Sequence, residues 1–184
     1  MTTFLSNTLD GLKLVYQGNN TISGTTVELI KSTKSMSIDA VGSDASLNVS
    51  GGHYSTIAGV VNIAGGTLTL NGGTINLSRS SSKPLLNFTT VTVNNCELHL
   101  MDTTSGKAYP LAEGSSLNIA NNSNVTMESS SYVTLGGTMK NTFDAFSSSF
   151  ALTVDGNSFV NVINTCTCSC YSRKGGICVK VVLV

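Results

Sequence analysis

The chain has few charges, no long apolar run and no visible leader. Asp, Glu, Lys and Arg make up 11% of its 184 residues, and the formal net charge is zero. Because phosphate binding requires clustered Lys and Arg, this composition argues against a nucleic-acid partner. No stretch approaches the roughly eighteen apolar residues of a membrane-spanning helix. No basic segment followed by an apolar run opens the sequence, so we expect no secretion signal and a chain made in the cytoplasm.

Helix patterns and cofactor motifs are missing as well. Apolar residues are not repeated at a spacing of about 3.6 residues over any long stretch, which argues against helices. The sequence contains no Gly-rich dinucleotide fingerprint, no phosphate-binding loop and no His-Glu-x-x-His zinc motif. We therefore expect an all-β protein without a cofactor.

What the chain does contain is Ser, Thr, Asn and short apolar alternations. Its 26 Ser, 23 Thr and 18 Asn make a polar surface of hydroxyls and amides. In Val61–Leu77, aliphatic residues alternate with polar ones, which is the pattern of short strands with one buried face. Gly65-Gly66 and Gly72-Gly73 separate three such strands, and glycine accepts the left-handed backbone of a corner. The apolar pairs are Val61 and Ile63, Leu68 and Leu70, and Ile75 and Leu77.

The same pattern recurs with a unit of seven or eight residues. Asn94-Asn95 stands where a glycine pair stands in earlier units, and asparagine also tolerates left-handed geometry. Three units make about 21 to 24 residues, the length of one solenoid coil. We predict a β-solenoid with three short strands per coil, and a β-sandwich or jelly roll is the alternative. Residues 45–165 would form the solenoid, 1–44 an N-terminal attachment or capping region, and 166–184 a C-terminal cap or oligomerisation segment.

The run GGTLTLNGGTINLS at 65–78 resembles the coils of right-handed parallel β-helix proteins, the pectin-lyase-like architecture. Phage tailspikes and tail fibres, secreted adhesins, autotransporter passengers and polysaccharide lyases share that architecture. The resemblance lies in composition, over about residues 45–165, and without a secretion signal it is strongest to phage tail proteins. It implies an elongated homotrimer in the virion tail that contacts other tail proteins and binds a host-surface polysaccharide. A bacterial cell-surface adhesin is the alternative.

The candidate catalytic residues are Glu97, His99 and Asp102. Glu97 and His99 alternate with Leu98 and Leu100, so both point outward from one strand, and Asp102 follows shortly after. Glycoside hydrolysis needs two carboxylates about 5 to 10 Å apart, so this cluster would serve a polysaccharide hydrolase or lyase on the same scaffold. A solvated strand face with a chance histidine is the simpler interpretation, and we favour a protein that is not an enzyme.

The cysteines gather near the C-terminus. Cys166, Cys168 and Cys170 alternate, and Cys178 follows. Buried thiols are the simplest interpretation, whereas a metal site or a disulfide is the alternative. The tail at 176–184 is β-prone and nearly uncharged, so it must be covered by its own last coil or by another subunit. We favour another subunit.

Three functions are compatible with these patterns. The first is glycan recognition by exposed faces rich in Thr, Asn and Ser, with Tyr54, Tyr109 and Tyr132 as candidate stacking residues. Ordinary packing is the simpler interpretation for each tyrosine. The second is glycan cleavage around Glu97. The third is ice binding by the motifs Thr67-x-Thr69 and Thr90-x-Thr92, although such a ladder does not continue from coil to coil in the sequence.

Overall fold

The computed structural model describes residues 4–24, 29–51, 61–79, 85–102, 112–113, 116–129, 133–134, 143–144, 151–164 and 181–183. Within them every regular element is a strand, and no helix there is long and apolar enough to cross a membrane. The strands are β1 (Leu5–Asn7), β2 (Leu12–Gly24), β3 (Ile30–Ser32), β4 (Met36–Gly51), β5 (Val61–Asn71), β6 (Thr74–Arg79), β7 (Leu86–Asn94), β8 (Glu97–Asp102), β9 (Ala112–Glu113), β10 (Ser116–Ala120), β11 (Asn124–Ser129), β12 (Val133–Thr134), β13 (Phe143–Asp144), β14 (Ala151–Val154), β15 (Phe159–Asn164) and β16 (Val181–Leu183).

The strands stack in register as the coils of a β-solenoid, with three strand segments in each coil. Stack A consists of 5–7, 30–32, 61–63, 86–88 and 112–113. Stack B consists of 12–17, 36–41, 67–71, 90–94, 116–120 and 151–154. Stack C consists of 19–24, 46–51, 74–79, 97–102, 124–129 and 159–164. All pairs within the stacks are parallel, so the predicted solenoid is confirmed and a sandwich of antiparallel sheets is not formed.

The coil length varies more than the repeat predicts. Thr67 pairs with Thr90, 23 residues later, which agrees with the predicted 21 to 24. Ser116 pairs with Ala151, 35 residues later. Within that interval β12 and β13 pair with each other in a separate two-stranded parallel sheet. A solenoid accepts such an insertion without changing how its strands stack.

The core is a column of aliphatic side chains inside the three stacks. All six apolar residues predicted from Val61–Leu77 are buried. Their neighbours in the next coil are also buried and aliphatic, as in the register pairs Leu70 with Val93 and Leu77 with Leu100. Each such side chain contributes roughly 1.5 to 3 kcal/mol by leaving water, so the alternation itself holds the coils together.

Left-handed residues turn the corner between stacks B and C. Gly72 and Gly73 have φ of 71° and 61°, and the corner of the next coil uses Asn95 with φ of 48°. Asn121 and Asn122, with φ of 55° and 61°, turn the coil after that. Asn95 therefore takes the corner position of Gly72, as predicted for asparagine, whereas Asn94 is a strand residue that pairs with Asn71.

A column of small residues lies just inside this corner, and all of its members except Gly73 are buried. It consists of Ala45, Gly73, Cys96, Ser123 and Ser158, each of which immediately precedes a segment of stack C. The Cys96 N–H donates to Ser123 Oγ at 3.2 Å, and the Ser123 N–H donates to Ser158 Oγ at 3.1 Å. These hydroxyls supply acceptors to backbone groups that are buried at the turn.

The two chain ends differ in how they join the solenoid. Within 1–44, which we assigned to an attachment or capping region, the described strands already pair in parallel with later coils, and the predicted role remains a prediction. β16 pairs antiparallel with β15 of the same chain, and Val182 lies opposite Asn161. Within one chain, 181–183 thus form the alternative that we left open, a strand on the last coil, and pairing of the tail with another subunit stays a prediction.

Candidate functional site

The outer side of stack C presents polar side chains in straight rows, and we call it the outer face of stack C. Strands in register lie about 4.8 Å apart, so each row repeats at that spacing along the solenoid. Successive residues of each strand point alternately to the core and to this face. Leu47, Ile75 and Leu98 are on the core side and are buried. The central row consists of Thr21, Asn48, Asn76, His99, Thr126 and Asn161.

Hydrogen bonds between coils fix several of these side chains. Asn76 Nδ2 donates to Asn48 Oδ1 at 2.9 Å, and Asn161 Nδ2 donates to Asn124 Oδ1 at 2.8 Å. Because an amide has two donor hydrogens and an acceptor oxygen, each of these residues keeps hydrogen-bonding capacity for a ligand. The rows are therefore ordered in advance, which lowers the entropy lost on binding.

Glu97 and His99 lie side by side on this face, as predicted. His99 Nε2 is 3.5 Å from Glu97 Oε2, and the two side chains are 36% and 56% exposed. The Nε2 atom itself is covered and has no hydrogen-bond partner in the described residues. An ion pair forms here only when the histidine is protonated, and at this exposure it would be worth no more than about 1 kcal/mol.

Asp102 lies at the opposite end of β8 from Glu97, five residues later. Five residues of extended strand span about 16 Å of backbone. Glu128 lies on the same face but is paired with Met101 in the neighbouring coil, four positions from the level of Glu97. Catalysis around Glu97 stays a prediction.

Asparagines also form a ladder along the edge between stacks B and C. Asn71 Nδ2 donates to Asp39 Oδ1 at 2.6 Å, and Asn94 Nδ2 donates to Asn71 Oδ1 at 3.1 Å. Asn121 Nδ2 continues the series by donating to Asn94 Oδ1 at 2.5 Å. Every amide points the same way, and the chain of bonds ends on a carboxylate, so the bonds polarise one another. The ladder fixes the register of four successive coils.

A carboxylate caps the next corner in the same region. Asp155 Oδ2 accepts the Asn121 N–H at 2.7 Å, and Asp155 Oδ1 accepts the Asn157 N–H at 3.2 Å. The hydrogen bond with the Ser158 side chain, followed by those from backbone N–H groups, lowers the pKa of Asp155 below its usual range. The role of this aspartate is structural, because its oxygens are used to join two coils.

The thiol of Cys96 is buried and unreactive. Burial, and secondarily the negative charge of Glu97, raise its pKa to about 12, so it is a thiol rather than a thiolate at neutral pH. The described residues contain no group of three His, Cys, Asp or Glu side chains that could hold a metal ion. Cys166, Cys168, Cys170 and Cys178 lie outside the described residues, so the choice among thiols, metal and disulfide stays open.

The sequence predicted three tyrosines as candidates for stacking on sugars. Tyr54, Tyr109 and Tyr132 lie outside the described residues. The outer face of stack C instead presents the ring of His99 and that of Phe159, which is 41% exposed. Sequence reasoning missed Phe159, together with Asn76 and Thr126. The signal for Phe159 was its alternation with the buried Val160 in β15.

Stack B has a different outer side, with threonines in its middle coils. Thr67 pairs with Thr90, and Thr69 pairs with Thr92. The structure thus brings both Thr-x-Thr motifs together as a two-by-two array. The next coil continues these two columns with Ser116 and Asn118, and Ser116 Oγ donates to Thr90 Oγ1 at 3.3 Å.

Comparisons with known protein families, with curated proteins and with solved structures give no match to this chain.

Proposed function

We propose that this protein is a structural and host-recognition component of a phage tail, and that the outer face of stack C binds a cell-surface glycan. The phage setting, and the homotrimer that goes with it, rest on the resemblance of the 65–78 run to phage tail β-helices. The binding role rests on the chemistry of the face. A bacterial surface adhesin would use the same face in the same way.

The ordered central row of stack C is the observation that carries this proposal. Sugars offer alternating hydroxyl donors and acceptors, and amide and hydroxyl side chains can satisfy both. Asn48 and Asn76 are held by hydrogen bonds between coils, so they need little further ordering to meet a ligand. A polysaccharide chain laid along the solenoid would meet a side-chain row about every 4.8 Å.

Two rings give the face apolar surface at separate levels. His99 lies in the middle of the row, and Phe159 lies at the end of the neighbouring row. An aromatic ring packs against the apolar side of a sugar while the polar rows bind its hydroxyls. Glu97 and Glu128 leave the face without a strong positive charge in the described residues, which favours neutral over acidic glycans.

An array of bacterial surface polysaccharides, followed by titration of the best ligand, tests the proposal. Thr126→Val keeps the shape of a central-row side chain and removes its hydroxyl. We expect it to weaken binding roughly 2- to 10-fold, the effect of one hydrogen bond. His99→Ala should weaken binding as well, through loss of the ring.

Thr92→Val is the matched control. It makes the same change at a partly exposed mid-strand position of stack B, on a different side of the solenoid. We expect binding to be unchanged. A glycan that binds equally well to Thr126→Val and less well to Thr92→Val would place recognition on stack B and contradict the proposal, as would a failure of every polysaccharide to bind.

Ice binding is a second candidate, favoured by one observation. Thr67, Thr69, Thr90 and Thr92 form a regular hydroxyl array on stack B. The array is short, because Ser116 and Asn118 follow it. Thermal hysteresis in the wild type that Thr69→Val abolishes would support this function over glycan binding.

A further inference from the structure

The corner between β5 and β6 requires two particular residues in succession. Gly72 turns the chain with φ of 71°, a left-handed value that glycine adopts at no steric cost. Asn71, the last residue of β5, continues the asparagine ladder between Asp39 and Asn94. The two requirements together produce Asn71-Gly72, which is the single Asn-Gly dipeptide among the 184 residues.

Asn-Gly is the dipeptide in which asparagine most readily loses its amide group. The backbone nitrogen of the glycine attacks the side-chain carbon Cγ, and a succinimide ring closes. The side-chain nitrogen leaves as ammonia, taking the proton that the attacking nitrogen gives up. Water then opens the ring at one of its two carbonyl carbons, which leaves aspartate or isoaspartate. Because glycine has no Cβ to hinder the attack, the reaction proceeds with water as its only co-reactant.

In the folded chain, both reacting groups of Asn71-Gly72 are engaged in hydrogen bonds. The Gly72 N–H donates to Asn94 O at 3.0 Å, so the attacking nitrogen is held toward the next coil. Asn71 Nδ2 donates to Asp39 Oδ1 at 2.6 Å, and Asn71 Oδ1 accepts from Asn94 Nδ2 at 3.1 Å. Ring closure rotates both the side chain and the peptide plane, so these three hydrogen bonds to the coils on either side must open first.

We propose that Asn71 is a latent deamidation site, which the stacked coils hold unreactive and which reacts when the neighbouring coils separate from it. Opening precedes the attack, so the folded chain reacts only during the fraction of time in which these coils are apart. The fold itself creates this site, because the corner needs the glycine and the ladder needs the asparagine before it. Unstacking therefore leaves a permanent chemical change at one position of the solenoid.

The two products do not fit the place that Asn71 occupies. Aspartate at this position puts a carboxylate oxygen where an amide hydrogen now meets Asp39, so two negative charges face each other at hydrogen-bond distance. Isoaspartate lengthens the backbone by one atom directly before the corner, which moves the Gly72 N–H away from Asn94 O. A chain that is modified while unfolded therefore re-forms this corner less well than an unmodified chain.

Peptide mapping by mass spectrometry, in buffer and in guanidinium chloride at the same mildly alkaline pH, tests the proposal. The tryptic peptide 35–79 contains Asn71, and deamidation changes its mass by replacing NH₂ with OH. We expect Asn71 to react at least roughly 10-fold faster in guanidinium chloride than in the folded chain, because the hydrogen bonds that protect it are then broken. Asn48 and Asn76 of the same peptide precede branched side chains, so they are internal controls that should stay unmodified.

Three variants separate the role of the ladder from general stability. Asp39→Ala removes the acceptor of the Asn71 amide, so it should raise the reaction rate roughly 3-fold or more in the folded chain and leave the rate in guanidinium chloride unchanged. Asp44→Ala is the matched control, because it removes an exposed aspartate of the same strand and should change neither rate. Asn71→Asp, made directly, should unfold at a lower denaturant concentration than the wild type at neutral pH. This difference should narrow in acid, where protonation gives one carboxyl a hydrogen to donate.

Equal reaction rates at Asn71 in the folded and the unfolded chain would overturn the proposal. So would modification of Asn48 or Asn76 ahead of Asn71 in guanidinium chloride, or an Asn71→Asp variant that is as stable as the wild type at neutral pH. Circular dichroism at the pH of the incubation establishes that each variant is folded before its rate is compared. None of these outcomes bears on glycan binding, which the Thr126→Val titration tests separately.

Discussion

Gly73 occupies the tightest point of the corner between stacks B and C, and its substitution measures how closely the coils stack. A Cβ at this position would lie 2.5 Å from Ala45 O, 2.8 Å from Tyr16 Oη and 2.9 Å from Ala40 Cβ. Its φ is 61°, so alanine would also be strained in its backbone. The left-handed conformation costs about 1 to 2 kcal/mol and overpacking about 1 to 3, so Gly73→Ala should lower the free energy of unfolding by roughly 2 to 5 kcal/mol.

Two other glycines separate these contributions. Gly18 has φ of 65° and no atom within 4 Å of a Cβ, so Gly18→Ala should cost only the backbone strain of about 1 to 2 kcal/mol. At Gly156 the Cβ meets nothing within 4 Å and the backbone is not left-handed, so alanine should be close to neutral. Urea unfolding followed by circular dichroism gives all three values under one set of conditions.

Tyr16 supplies an internal check on the same corner. Tyr16 Oη donates to Gly72 O at 3.2 Å, a contact between residues 56 positions apart in sequence. Tyr16→Phe removes one of the three close contacts, so Gly73→Ala should cost less in that background, by about 0.5 kcal/mol or more. Equal losses for Gly73→Ala and Gly18→Ala would refute the reasoning, because the space next to Gly73 would then be open.

Three further predictions concern the ladder and the titratable groups. Asn94→Ala removes one amide from the ladder and leaves Asn121 Nδ2 without its acceptor. We expect it to lower the free energy of unfolding, measured in urea, by about 1 to 3 kcal/mol. The control Asn118→Ala, in the same strand stack, should lower it by less than about 0.5 kcal/mol. Folding lowers the pKa of Asp155, so the stability that its carboxylate contributes is complete above the usual pKa of 3.8 and disappears as the pH falls through the pKa of the folded state. The melting temperatures of the wild type and of Asp155→Asn should therefore converge in acid. A difference between the two melting temperatures that stays constant with pH would contradict this. Burial raises the pKa of Cys96 to about 12 and also raises the pKa of Tyr16. The stability that the neutral thiol contributes is therefore complete below its usual pKa of 9.0 and declines as the pH rises. In Cys96→Ala the free energy of unfolding should fall less steeply with pH above pH 9 than in the wild type, and an unchanged slope would be evidence against a buried thiol.

The architecture of one coil could be predicted from sequence because it depends on local rules. In Val61–Leu77 the alternation specified which side chains are buried, and the glycine pairs specified the corners. The outward placement of Glu97 and His99 followed from the same alternation in β8. The use of asparagine in place of glycine at a corner was also predictable, since both accept left-handed φ.

Contacts between coils could not be predicted in the same way. Register depends on how many residues each insertion adds, and Ser116 meets Ala151 only after 35 of them. For this reason neither the central row of stack C nor the pairing of the two Thr-x-Thr motifs could be placed in advance. The small-residue column through Cys96 has no sequence period, because its members share only a place in the turn.

The separation of Glu97 and Asp102 shows a limit of proximity in sequence. Five positions suggest a cluster, but in an extended strand they span about 16 Å, whereas residues more than twenty positions apart in neighbouring coils are about 4.8 Å apart. In a solenoid, a site is built along the axis rather than along the chain.

An NMR titration of the protein with the oligosaccharide selected by the array tests the central claim most directly. If the outer face of stack C is the recognition surface, backbone amide shifts will be confined to the strands of that stack, 19–24, 46–51, 74–79, 97–102, 124–129 and 159–164, with the largest changes at the levels of Asn76, His99 and Thr126. Shifts confined to 67–71 and 90–94 would place binding on stack B and contradict the account.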